Sequence, residues 1–250
     1  MDENVDFDSI MKNITGDLTG DQLVDTRYLM MKCEEYKNHD MSREITRACC
    51  RLMYNMFPKD KKANLEKMIS NRIIGTVAVL DEIKYNIYKK NYDNALKMIT
   101  DLVEIIEALN MFEDDQLCEY HVFDETFEEI LYNFRYKPRK EMRQAQLPYT
   151  EIYYIYGNLL LELNRLEEAR KALQKGLRWN PMSFRIMSEY IETFKLEGDI
   201  ESFFEKTLEA FTIAIHASDV ARCFRNLGYY FVEKESYTEA VATLLLIAIQ

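Results

Sequence analysis

The chain has 250 residues, 48% hydrophobic and 12% aromatic, enough apolar material to bury a continuous core in one or two domains. Its 43 acidic side chains against 32 basic ones give a net charge of -11, which repels nucleic acid and anionic membranes at long range and argues against either as a partner. Only 7 glycines and 4 prolines interrupt it, so long helices are favoured and no Pro/Gly/Ser-rich linker divides it.

Cys33, Cys49, Cys50, Cys118 and Cys223 show no C-x-x-C pairing and read as reduced, small apolar residues, which fits a reducing compartment. The acidic N-terminus has neither the basic start nor the apolar run of a secretory signal, and no window approaches the roughly 20 apolar residues that span a bilayer. A soluble cytoplasmic protein is the expectation.

Residues 1–20 form an acidic arm whose Phe7, Ile10, Met11 and Ile14 predict a loosely attached helix or a partly disordered segment. Residues 21–110 form an N-terminal helical region. Thr19 and Gln22 have capping-box spacing and open a helix to about Tyr36 that shows Leu23, Tyr28, Met31 and Cys33. Ser42 is placed to cap the next helix, with Ile45, Ala48, Cys49, Leu52, Met53 and Met56 on one face and Arg43, Arg47 and Arg51 on the other. That arginine row is either an anchor for an acidic partner or a solvated face neutralised by neighbouring carboxylates; the second is the simpler reading. After the turn at Pro58, residues 63–90 read as helix, with Gly75 a candidate kink.

Residues 111–149 break the helical pattern. They offer one clear helix, capped by Asp124 and carrying Phe127, Ile130, Leu131 and Phe134, inside irregular or extended chain limited by Pro138 and Pro148. Arg135, Lys137, Arg139, Lys140 and Arg143 face only Glu141 in the same stretch. A phosphate or acidic-peptide site and a solvated loop leaning on an acidic neighbour both fit, while the lack of stacking aromatics beyond Tyr136 counts against nucleic acid.

Residues 150–183 carry the strongest signal. Tyr153, Tyr156, Gly157 and Leu160, then Ala169, Leu173 and Pro181, follow the spacing W-x2-L-G-x2-Y, A-x3-F, P with size and apolarity kept. The segment therefore resembles the tetratricopeptide repeat family, in which small residues mark the place where two helices approach closely. A second copy over 221–250 has Phe224, Leu227, Gly228, Phe231, Ala240 and Leu244, with Gly228 and Ala240 both shifted by 71 residues from Gly157 and Ala169. Between them, 184–220 keeps Met187, Tyr190 and Phe194 but has Ile191 and Phe203 at the small positions, predicting looser packing or a changed angle, with about three extra residues near Ser218 to Val220. A degenerate copy lies near 76–109, where Ala95, Ile99 and Leu102 fit the second helix but Glu82, Ile83 and Asn86 fit the first poorly.

The resemblance implies an all-α fold, a right-handed α-solenoid of antiparallel helix pairs, with three repeats filling 150–250. It also implies a concave wall built from the first helix of each pair: Tyr154 and Asn158, then Arg185, Ser188 and Glu192, then Arg222, Arg225, Asn226 and Tyr229. Such a wall suits a protein or peptide partner, since amides satisfy a main chain, guanidinium groups hold carboxylates and tyrosines supply rigid contact area. Among family behaviours, the clamp that grips a terminal carboxylate is matched at Asn158 and in charge at Arg222. Tyr154, Glu189 and Asn226 hold its other places, and Glu189 would repel that ligand. A bacterial peptide-sensing regulator is the alternative, although no basic recognition helix for DNA is evident.

Chemistry has no sequence support. His39, His121 and His216 are isolated, and no nucleophile elbow, P-loop or dinucleotide-binding turn occurs, so the expectation is a non-enzymatic scaffold without a cofactor or metal. Val241, Leu244, Leu245, Leu246, Ile247 and Ile249 surround the axis of the last helix. That predicts cover by further chain or by a second molecule.

Overall fold

The computed structural model describes residues 3–109 and 112–247. Among them are twelve helices: α1 (Glu3–Gly16), α2 (Gln22–Glu35), α3 (Ser42–Met56), α4 (Lys59–Tyr88), α5 (Tyr92–Leu109), α6 (Thr126–Tyr136), α7 (Tyr149–Glu162), α8 (Leu166–Trp179), α9 (Phe184–Glu197), α10 (Ile200–Phe211), α11 (Ala217–Glu233) and α12 (Tyr237–Ile247). Two short strands, β1 (Cys118–His121) and β2 (Glu141–Gln144), pair with each other. The fold is all-α, with adjacent helices packed in pairs as an α-solenoid. None of the helices is long and apolar enough to cross a membrane among the described residues.

The chain divides into two compact units, Met1–Gly75 with Glu113–Glu119 and Lys140–Met142, and Thr76–Phe112 with Tyr120–Arg139 and Arg143–Gln250. In the first, Ile10 and Ile14 of α1 are buried with Leu29, Met41, Ile45 and Cys49, so the N-terminal segment is a packed helix and not the loose arm its composition predicted. Its apolar residues recur at a spacing of four, and that stripe is enough to dock it. The expected caps differ as well. Asp21 caps α2, accepting from the Leu23 and Val24 amides, while Thr19 donates through both its amide and hydroxyl to buried Asp25. Asp25 also accepts from Gly20, and these bonds hold its carboxyl below the usual range. As a result Leu29 faces the core, and Leu23 and Met31 point to solvent. Ser42 is the first residue of α3 and not its cap. In the arginine row, Arg43 pairs with Glu113 and Arg47 with Asp115, the neutralised face of the simpler reading. α4 runs unbroken through Gly75.

The second unit repeats one turn four times. Lys90, Asn164 and Glu235 have φ of 57°, 57° and 58°, and Gly198 has 82°. Each ends the first helix of a pair and stands five residues before Ala95, Ala169, Phe203 or Ala240. At each turn the amide after the left-handed residue donates across a whole helical turn: Asn91 to Asn86, Arg165 to Leu160, Asp199 to Phe194 and Ser236 to Phe231. These are Schellman-type bonds that satisfy carbonyls otherwise orphaned at a helix end. The pair α4 and α5 shares the turn although its motif is degraded. Ile83, where the motif has Gly, is fully buried, and Asn86, where it has an aromatic, is buried and hydrogen-bonded, donating to the Glu82 carbonyl and accepting from Asn91 and Asn94.

Close helix crossings follow. A methyl at Gly157 would sit 2.5 Å from Cγ of Leu173, and one at Gly228 would sit 3.1 Å from Cδ2 of Leu244, the equivalent leucine. The partner of Gly157 is therefore Leu173, one turn beyond Ala169, which packs with Leu160. In the middle pair Ile191 and Phe203 occupy the small positions and are fully buried. α11 has 17 residues where α7 and α9 have 14, which accommodates the extra residues.

Two stability outcomes follow. Lys90→Gly and Glu235→Gly remove left-handed strain at a side chain bearing a Cβ and are each expected to add roughly 0.5–1 kcal/mol in urea unfolding. Gly157→Ala must displace Leu173 and is expected to destabilise by about 1–2 kcal/mol, even after the roughly 1 kcal/mol gained in helix propensity. Gly228→Ala, with more room, is expected to be neutral or slightly stabilising.

Candidate functional site

The first helices of three pairs, α7, α9 and α11, contribute side chains to one cavity of the second unit. Glu151 and Tyr154 on α7, Arg185 and Ser188 on α9, and Asp219, Arg222 and Arg225 on α11 recur at intervals of three, which places each set on one helical face. They line a cavity of about 720 Å³. No residue of α8, α10 or α12 lines it, because those helices bury their small residues against their partners instead.

The loops before α9 and α11 add Met182, Ser183, Ile215 and His216, and a further wall comes from the segment preceding and opening α6, through Asp124, Glu125 and Glu128. This segment is held by buried polar bonds. Glu128 accepts from the Asp124 amide at 2.8 Å, the Glu125 amide at 3.1 Å and Asn180 Nδ2 at 2.9 Å. It thereby caps α6 and ties the helix to the loop after α8. The N-cap is Glu125, one residue later than Asp124, because Glu128 rather than an aspartate supplies the acceptor. Thr150 Oγ1 donates to the Val122 carbonyl at 2.8 Å, and the Val122 amide donates to Trp179 at 2.9 Å. Tyr149 stacks on Trp179 with ring centroids 3.9 Å apart.

Within the cavity, Arg185 lies 4.2 Å over the Tyr154 ring, bonds Glu151 at 2.7 Å and approaches Asp124 at 3.6 Å. Lys84 reaches Glu151 at 3.0 Å. Burial pushes the Glu151 carboxyl up, yet Lys84 and Arg185 together hold it below the usual carboxylate range. Arg222 pairs with Glu189 at 3.3 Å, so the glutamate that would repel a terminal carboxylate is neutralised within the wall. His216 Nε2 stands 3.3 Å from Glu125. Arg225 is exposed and has no ion-pair partner among the described residues. Burial, reinforced by Glu128, lifts Asp124 to about 6.

Of the nine wall residues expected from the sequence, Tyr154, Arg185, Ser188, Arg222 and Arg225 share this cavity. Ser188 is buried and donates to the Arg185 carbonyl, so its hydroxyl is occupied. Asn158, Glu192, Asn226 and Tyr229 do not line it. Glu192 and Tyr229 are joined instead by Lys195, which pairs with the carboxylate at 3.3 Å and lies 4.7 Å from the ring. The acidic wall from α6 was missed, because Asp124, Glu125 and Glu128 read as a capping sequence and only the three-dimensional fold brings them opposite α9 and α11.

Among the described residues no group of three His, Cys, Asp or Glu side chains is arranged to hold a metal ion. All five cysteines are free thiols, and burial pushes Cys223 up to about 12. Residues 150–181, which contain α7 and α8, match the family model described as a tetratricopeptide repeat. No curated protein sequence matches the chain.

The lifted carboxyl gives a pH signature. Asp124 ionises near 3.8 in the unfolded chain and near 6 in the folded one, so folding becomes less favourable between pH 4 and 6 and by a constant amount above. Solvent screening of this part-exposed group reduces the effect to about 1 kcal/mol. Asp124→Asn is therefore expected to stabilise by about 1 kcal/mol at pH 7 and by nothing at pH 4, read from urea midpoints across that range.

Proposed function

Starting from a tetratricopeptide repeat at residues 150–181 within a stack of helix pairs, we propose that this protein is a non-enzymatic scaffold that holds a segment of a protein partner in the groove between α7, α9 and α11. A repeat of this family supports a protein-interaction role in general. The observation that carries the finer reading is the open cavity of about 720 Å³ lined by first helices, the loops that lead into α9 and α11, and the α6 entry. Its size suits one or two side chains of an extended segment with the flanking main chain.

The chemistry of the lining narrows the partner. Asp124, Glu125, Glu128, Glu151, Glu189 and Asp219 outnumber Arg185, Arg222 and Arg225, and two of those arginines already pair with carboxylates in the wall. A segment bringing a lysine or arginine toward Asp124 and Glu125, with a carboxylate or carbonyl near Arg225, complements this pattern. Tyr154 supplies the flat contact surface. The free thiols fit a reducing compartment such as the cytoplasm.

A peptide array screened by thermal shift tests the reading. A bound peptide at about 100 times its Kd is expected to stabilise the protein by about 2.7 kcal/mol. Tyr154→Ala and Arg225→Glu are each expected to weaken the best ligand about tenfold, with the helical circular dichroism unchanged. Peptides that bind equally well to both variants, or an array in which nothing binds, would remove the groove from consideration.

A further inference from the structure

A second surface, independent of the groove, lies on the outer face of α6. Its sequence, TFEEILYNFRY, places large apolar side chains on two sides of the helix. One side is anchored within the protein. Tyr132 is buried, with ring centroids 4.5 Å from His121, 5.5 Å from Phe123 and 4.9 Å from Tyr136, while Glu128 is held by Asn180. The opposite side carries Phe127, Ile130 and Phe134 at spacings of three and four, and they are 54%, 57% and 77% exposed. The side chains that packing turns inward are Tyr132 and Glu128. Single exposed apolar residues are ordinary, but three large ones aligned along about two turns form a stripe of the kind that marks an interaction surface.

The charge beside the stripe identifies the occupant. At its C-terminal end Lys137 and Arg139 are exposed and make no ion pair among the described residues, while Arg135 is engaged by the Thr212 hydroxyl. This is a local cationic end on a chain of net charge -11. Exposed Glu129 on the same helix and the chain's net charge of -11 disfavour a uniformly anionic surface such as a membrane. A discrete partner with apolar residues along one helical face and carboxylates confined to one end satisfies all of these groups at once.

We propose that the outer face of α6 docks an amphipathic helix of a protein partner, with apolar side chains against Phe127, Ile130 and Phe134 and an acidic end against Lys137 and Arg139. The probe is a synthetic helical peptide of roughly five turns with a leucine stripe and three glutamates at one end, compared with versions ending in three lysines or having serines in place of the leucines. Fluorescence anisotropy with the full chain is expected to show saturable binding of the first peptide only. Ile130→Ser and Phe134→Ser, both at exposed positions, are each expected to weaken it at least about tenfold. Lys137→Glu with Arg139→Glu is expected to transfer preference to the lysine-ended peptide, while Tyr154→Ala in the groove leaves both affinities unchanged. No saturable binding at millimolar peptide, or binding indifferent to these substitutions, overturns the proposal. So does capture by phosphatidylserine vesicles in place of the peptide, or a concentration-dependent dimer abolished by Phe134→Ser, since either assigns the stripe to a different occupant.

Discussion

A left-handed residue at the end of a helix, followed by an amide that reaches back to the carbonyl five residues earlier, is the constraint on which the second unit depends. At Lys90, Asn164, Gly198 and Glu235 the same bonds close the turn, so the second helix of each pair leaves in the same direction relative to the first. Once direction is set, the distance between the helices is decided by what faces what. Gly157 against Leu173 and Gly228 against Leu244 bring the backbones close enough for a leucine to fill the space a Cβ would take. The middle pair reaches a filled core differently, placing Ile191 and Phe203 at the crossing and burying both. Repeated turns with unequal side chains give a stack whose members share a direction but differ in separation.

This arrangement leaves first helices side by side, and a segment outside the helix pairs closes a cavity against them. The extended chain before α6 is stitched to the stack through the Thr150 hydroxyl, the Trp179 carbonyl and the Asn180 amide, all within a turn of the α7 and α8 ends. Each bond satisfies a polar group that would otherwise be buried without a partner, which fixes the segment more narrowly than apolar contact alone would. Asp124 and Glu125 are carried to the cavity by that stitching. The raised carboxyl of Asp124 is the electrostatic consequence of fixing it near Glu128 in a partly dry wall.

How much of this was legible in the sequence depended on whether a feature was local. The helix pair at 150–183 was legible because Gly157 and Ala169 act within one helix hairpin and Pro181 acts at its end. Phe203 in an alanine position pointed to looser packing or a changed angle; it is fully buried, since neighbours rearrange around a larger residue at one position. The four turns carried a usable signal that motif matching overlooked: Lys90, Asn164, Gly198 and Glu235 keep one offset from the following crossing residue, although only one is glycine. Two of the caps were misplaced for one reason: Thr19 and Asp124 have the right chemistry, but nearby Asp21, Asp25 and Glu128 accept the amides instead. Ser42 falls one residue inside α3, whose N-cap Met41 makes no side-chain cap bond. For α6, periodicity could not distinguish two apolar faces, and the polar anchor of Glu128 decided which turned inward.

The two faces of α6 carry the last step. Its N-terminal end contributes carboxylates to the groove and its C-terminal end presents unpaired cations beside an apolar stripe, so one short helix meets two chemically opposite environments. The arrangement is favourable for the helix itself, since acidic side chains at the first turn and basic ones after the last oppose the partial charges of its termini. It also separates the two surfaces by charge: a basic segment suited to Asp124 and Glu125 is repelled by Lys137 and Arg139, and an acidic helix suited to Lys137 is repelled by the groove. Selection of this kind works by excluding the wrong occupant from each face as much as by attracting the right one. Because α6 is held through Glu128 and Tyr132 and not through the residues it presents outward, a ligand on the stripe leaves the groove's anchoring bonds intact.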